Sequence, residues 1–180
     1  MLDRRQLMGG VLIAAGQSIA VAQSAETAPA ANIRFCFEAR VQVDTPLIVG
    51  PSSYGLRRVV PISGGTVTGP RLNGRVVPGG ADWQFVRGDG VLIVEARYTL
   101  EADDRALIMV TNRGMRHGPP AVIERLSRGE HVDPSQYYFR TVAEFEAPSG
   151  SRHEWLNRAI FVGVAQREAS QAIIRFHEVL

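Results

Sequence analysis

The chain has 180 residues, 45% of them hydrophobic and 21% charged, which suits one domain with its own core. All 20 basic side chains are arginine, so chemistry that needs a Schiff-base or phosphate-loop lysine is excluded. The single cysteine, Cys36, excludes an internal disulfide, a CxxC pair and a cysteine-built zinc site; a net charge of +2 without an arginine stripe argues against a nucleic-acid partner.

The N-terminus reads as an address. Arg4-Arg5 precedes Gln6-Leu7-Met8 and an apolar run from Gly9 to Ala22, and Ala20-Val21-Ala22 supplies a small-x-small cleavage site. The string DRRQLM resembles the twin-arginine export signal, although Asp3 stands where Ser or Thr is common. Residues 1–22 are therefore expected to be a signal peptide and 23–31 a flexible Ala/Ser/Pro tether. The expected location is the periplasm or the exterior, the alternative being a membrane tether through an uncleaved signal. No stable membrane insertion is expected once the signal is gone.

From Asn32 onward the apolar pattern has period two. In Ile33–Val43 the residues Ile33, Phe35, Phe37, Ala39, Val41 and Val43 alternate with polar or charged neighbours, the mark of a half-buried strand. Further strands are expected at Arg57–Ile62, Thr66–Thr68, Arg71–Val77, Trp83–Arg87, Val91–Leu100, Ala106–Arg113, Tyr137–Glu146, Ala159–Gln166 and Ala172–Leu180. Turn clusters separate them, among them Gly64-Gly65, Gly79-Gly80, Gly88-Asp89-Gly90 and Pro148-Ser149-Gly150. Short helices are expected only at Val122–Arg128 and Arg152–Arg158. The runs Val91–Val94 and Ile160–Val164 are continuously apolar, which suggests burial on both faces. About ten short strands and little helix predict a single all-β antiparallel barrel over residues 32–180, with a sandwich as the alternative, because closure removes the sheet edges.

The motifs GGTVTGP (Gly64–Pro70), VVPGGADW (Val76–Trp83), EARYTL (Glu95–Leu100), YYFRT (Tyr137–Thr141) and EWLNRAIFVG (Glu154–Gly163) occur in order. Together they resemble the bacterial domain-of-unknown-function family 3237, also described as uncharacterised protein family 0311, from about Arg34 to Leu180. The resemblance implies a stand-alone β-barrel of lipocalin-like or cyclase-like form and carries no reaction with it.

Candidate chemistry starts at Asp82, between Gly79-Gly80-Ala81 and Trp83. Beside an indole its carboxyl can be desolvated and suited to proton transfer; as a turn cap it would bind backbone N–H groups instead. Tyr138, Arg140 and Glu144 share one face of their strand, opposite Tyr137, Phe139, Thr141, Ala143 and Phe145. If that polar face points inward, Arg140 can hold a carboxylate or carbonyl oxygen and Tyr138 can donate; if outward, the three are a solvated surface. Asp82, Tyr138 and Arg140 are thus the candidate catalytic set. Trp83, Arg97, Asn112, Arg113, Glu144 and Trp155 are candidate ligand contacts, with ion pairing the competing role for Arg97 and a core plug for Trp155.

The four histidines lack HxH or HExxH spacing, so no metal site is expected, and no serine lies in a nucleophile elbow, which argues against a serine hydrolase. GGTVTGP lacks the helix and lysine of a phosphate loop, and no cofactor is expected. The function expected is binding of a small organic molecule, acidic or carbonyl-bearing, inside an exported barrel. The alternative is a cofactor-independent isomerase, cyclase or dehydratase. The small-molecule ligand is the expected partner, and a second copy of the chain is a further candidate.

Overall fold

The computed structural model describes residues 31–180. The expected export signal and nearly all of the expected tether lie outside the described residues. Nine strands follow in chain order: β1 (Ile33–Val43), β2 (Leu47–Ser52), β3 (Gly55–Thr68), β4 (Gly74–Val86), β5 (Leu92–Ala102), β6 (Leu107–His117), β7 (Tyr138–Glu146), β8 (Phe161–Arg167) and β9 (Gln171–Val179). Among the described residues a single helix, α1 (Pro120–Ser127), joins β6 to β7, and 3-10 turns form at Pro134–Gln136 and Glu154–Arg158.

All pairings are antiparallel, and β3 to β8 each pair with the next strand in the chain. β1 then pairs with β9 on one side and with the later half of β3 on the other, from Glu38 opposite Thr68 to Val43 opposite Ile62. Eight strands therefore close into the expected barrel. β2 is additional: it pairs with the early half of β3 after β1 has ended.

Two expected turns are instead kinks inside long strands. The segments 57–62 and 66–68 are one strand, β3, running through Gly64-Gly65; 71–77 and 83–87 merge in β4 through Gly79-Gly80. Both glycine pairs sit at register shifts, where extra residues sharpen strand coiling so that the sheet can close. Side chains do not fit there. A Cβ on Gly65 (φ +138°) would stand 2.0 Å from the Arg40 carbonyl oxygen on β1, and one on Gly80 would stand 2.6 Å from both the Arg97 carbonyl oxygen and the Tyr98 Cβ on β5. β2 carried no alternation to announce it: Leu47, Ile48 and Val49 are all exposed. The runs Val91–Val94 and Ile160–Val164 bury one face only; Leu92, Val94, Phe161 and Gly163 point in, while Ile93 and Val164 are half-buried.

One end of the barrel is filled by aromatic side chains. Phe37, Phe145, Phe161 and Phe176 meet at ring-centroid distances of 5.0–5.7 Å, mostly edge to face. The Glu154–Arg158 turn lies over this end, burying Leu156 and setting Trp155 edge-on to Phe161 at 5.6 Å. The guanidinium of Arg71 covers the other side of the indole at 3.5 Å. Trp155 is thus part of the plug.

Adjacent residues of β7 test which face is inside. Phe145→Ala should lower unfolding stability by about 3–5 kcal/mol, whereas Glu144→Ala should change it by less than about 0.5 kcal/mol. Urea denaturation measures both; comparable losses at the two positions would contradict the facing described.

Candidate functional site

At the opposite end the interior turns polar. A cavity of about 740 Å³ opens between the β1–β2 connection, the C-terminal turn of α1 and the β8–β9 turn. That volume is in the range of small-molecule sites. Its walls are apolar in part, from Val60, Leu92, Val94 and Phe139, and its polar groups are Arg58, Asp82, Gln84, Arg116 and Arg167.

Strand register brings these groups together. Arg58 on β3 lies opposite Gln84 on β4, and Val60 lies opposite Asp82. The Arg58 Nε donates to Gln84 Oε1 at 2.7 Å, and Gln84 Nε2 donates to Asp82 Oδ2 at 2.5 Å. The second carboxylate oxygen of Asp82 accepts from the Glu95 N–H at 2.9 Å. Gln84 therefore spaces the guanidinium from the carboxylate and keeps the two from closing into a direct ion pair. Arg167 donates to the backbone carbonyls of Gln171 (2.9 Å), Ala169 (3.0 Å) and Glu168, bracing the β8–β9 turn. Arg116 lies between β5 and β7 with its Cζ 5.8 Å from the Phe139 ring centre; its Nε is buried and has no hydrogen-bond partner.

Among the described residues, five arginines have no carboxylate within 4 Å: Arg57, Arg58, Arg116, Arg140 and Arg167. Three of these five line the cavity. Asp44 and Arg128 also line the cavity, and Arg128 is engaged by Glu124 and Glu130. Burial pushes the Arg116 pKa down to about 10, with repulsion from Arg58 and Arg167 adding to the shift. Arg58 and Arg167 are also lowered, chiefly by desolvation. Burial raises the Asp82 carboxyl above its ordinary range, against the opposing pull of Gln84, the Glu95 N–H, Arg58 and Arg116. The site is a recessed, incompletely neutralised positive charge with one buried carboxyl that resists ionisation.

Below the cavity a recess of about 40 Å³ continues toward the aromatic core. Asp82 borders both spaces. Tyr98, Asn112 and Thr141 also line the recess, and the Tyr98 hydroxyl, Asn112 Oδ1 and Thr141 Oγ1 are buried without hydrogen-bond partners.

The candidates named from the sequence divide across the barrel wall. Asp82 and Asn112 point inward. Tyr138, Arg140 and Glu144 point outward, because the β7 residues that fill the core are Phe139, Thr141, Ala143 and Phe145. Tyr138 is 43% exposed, stacked on His117 at 4.9 Å with Arg140 at 5.4 Å from its ring, so Asp82, Tyr138 and Arg140 do not form one site. Trp83 is likewise outside and 40% exposed. Arg97 and Arg113 both approach Glu95 on the surface, at 3.4 and 3.5 Å. Trp155 lies at the plugged end. Arg58, Gln84, Arg116 and Arg167 were missed, yet each arginine carried a signal: Arg58 shares strand parity with Val60 and Ile62, Arg116 with Ile108 and Val110, Arg167 with Phe161 and Ala165. A charged side chain in phase with the core is the residue to ask about.

Arg116 costs the barrel stability, because its charge is desolvated and faces two like charges. Arg116→Met should therefore raise unfolding stability by about 1 kcal/mol in chemical denaturation at neutral pH. A loss of more than about 1 kcal/mol would mean that the guanidinium is structurally satisfied.

The family model described as "Protein of unknown function (DUF3237)" matches residues 31–179. A UPF0311 protein of Bradyrhizobium diazoefficiens is 38% identical over 152 residues, spanning 84% of this chain and 99% of that one. The crystal structure of a conserved protein of unknown function from Rhodopseudomonas palustris matches with a TM-score of 0.82 at 38% identity, over 85% of this chain and 100% of the other. A beta-barrel like protein from Acinetobacter baumannii gives 0.74 at 36% identity, over 86% and 99%. The ordered motifs, the barrel and these matches agree: the chain belongs to the DUF3237 family.

Proposed function

We propose that the protein binds a small organic anion, carboxylate or enolate, inside the barrel through Arg58, Arg116 and Arg167. The observation that carries this reading is the convergence of three arginines without carboxylate partners on one cavity. Desolvated like charges are costly to hold together, and a bound anion removes that cost. Guanidinium groups present forked donors that match carboxylate geometry, and the apolar walls suit the body of an organic acid. The twin-arginine-like sequence of residues 1–22 supports binding in the periplasm or outside the cell.

A second reading retains Asp82 as a proton carrier. Its buried, hard-to-ionise carboxyl beside cavity cations is the arrangement that general acid–base catalysis uses. Arg58 and Arg116 would then stabilise developing negative charge in an isomerase, cyclase or dehydratase. Loss of turnover in Asp82→Asn with binding intact distinguishes this reading from binding alone.

Calorimetric titration with benzoate, cinnamate and octanoate against their amides tests the main reading. Carboxylates should bind at least about tenfold tighter than amides, and Arg116→Met should remove the difference. Absence of any carboxylate binding to folded protein would overturn it.

Binding should also depend on pH through Asp82. Its ionised form repels an anion, and a bound anion raises its pKa further, so binding takes up a proton. Affinity for benzenesulfonate, whose charge is constant, should rise as pH falls from 8 toward the raised Asp82 pKa. Asp82→Asn should flatten that slope; an unchanged slope would assign the proton elsewhere.

A further inference from the structure

We infer that the recess beneath the arginines is a hydroxyl subsite, so that the ligand is an organic acid carrying a hydroxyl group at the end remote from its carboxylate. This rests on the anion-binding reading and adds the chemistry of the ligand's other end. Three observations carry it. First, the Tyr98 hydroxyl, Asn112 Oδ1 and Thr141 Oγ1 are each buried, with their residues 5%, 2% and 4% exposed, and none has a hydrogen-bond partner. Buried polar atoms are nearly always paired, so three orphans lining one recess mark a place where a partner is supplied from outside the chain. Second, the recess has a volume of about 40 Å³, enough for a single hydroxyl-sized group. Third, Asp82 borders both spaces, which makes the recess the floor of the arginine-lined cavity.

The orphan atoms also specify the group. Asn112 Oδ1 only accepts, so the occupant must donate a hydrogen bond. Tyr98 and Thr141 hydroxyls can donate as well as accept, so the occupant is also served by accepting one. A hydroxyl does both; a carbonyl or an ether oxygen leaves Asn112 unpaired. The Asp82 oxygens are already engaged by Gln84 and the Glu95 N–H, and they leave this role to the three orphans. Four residues along β6 separate Arg116 from Asn112, roughly 13 Å of strand, so carboxylate and hydroxyl belong to opposite ends of the molecule.

Matched ligands on the unaltered protein test this: 4-hydroxycinnamate against cinnamate and 4-methoxycinnamate, and 8-hydroxyoctanoate against octanoate, by calorimetry. In at least one series the hydroxy acid should bind about tenfold tighter than the unsubstituted acid, and the methoxy compound should bind no better than cinnamate. In Tyr98→Phe and Asn112→Leu the preference should fall toward unity, while the unsubstituted acids keep their affinity. Equal binding of hydroxy and unsubstituted acids overturns the subsite and leaves the anion site standing. So does a preference that survives both substitutions in folded protein. Failure of every acid to bind overturns the anion reading and this inference with it.

Discussion

The closing ladder between β1 and β3 is the contact on which the rest depends. Without it the sheet would have two free edges and no interior. The ladder runs where Gly65 meets the backbone of Arg40, at a spacing no side chain would allow. Because β1 departs at Val43 and β2 takes over as the partner of early β3, closure is tight at one end and relaxed at the other. The barrel is thus plugged by phenylalanines at the tight end and open to solvent at the other.

That asymmetry sorts the arginines. On the outer surface and around the plugged end most of them sit against carboxylates, Arg57 and Arg140 excepted: Arg34 and Arg71 share Glu178, Arg75 and Arg105 share Glu101, and Arg175 meets Glu38. Inside the open end Arg58 is held by an amide, Arg167 by backbone carbonyls, and Arg116 rests against Phe139. Neutral partners fix the orientation of a guanidinium without cancelling its charge. The field in the cavity therefore stays positive, and Asp82 is pushed toward its neutral form by burial, against the pull of those cations.

The fold was legible where one side of a strand met water. β7 alternates cleanly, and the limits of β1, β7 and β9 fall within a residue or two of expectation, although a bulge in β1 between Phe35 and Phe37 turns the expected inward Ile33 and Phe35 out to solvent. Glycine pairs misled the segmentation, because Gly64-Gly65 and Gly79-Gly80 have turn composition yet act as coiling points required by closure. β2 was invisible because both its faces are exposed. The site was harder to read. Asp82 and Asn112, named from local context, face the interior, Asn112 from within β6 and not from a strand end, but Tyr138, Arg140 and Glu144 were grouped on one face without any sign of which face was inside. Parity with Phe139 and Phe145 would have decided it: in a barrel narrow enough to be filled by side chains, the larger apolar set takes the interior. Arg58, Arg116 and Arg167 come from three strands far apart in sequence, and only register unites them.

The most direct measurement is a crystal structure of the protein with bound 4-hydroxycinnamate. The account predicts the ligand inside the barrel, its carboxylate within hydrogen-bonding distance of Arg116 and Arg58 and its hydroxyl at Asn112 and Tyr98. Density on the outer wall, for instance along the groove beside Arg140 and Arg175, with the interior unoccupied by ligand, would contradict it.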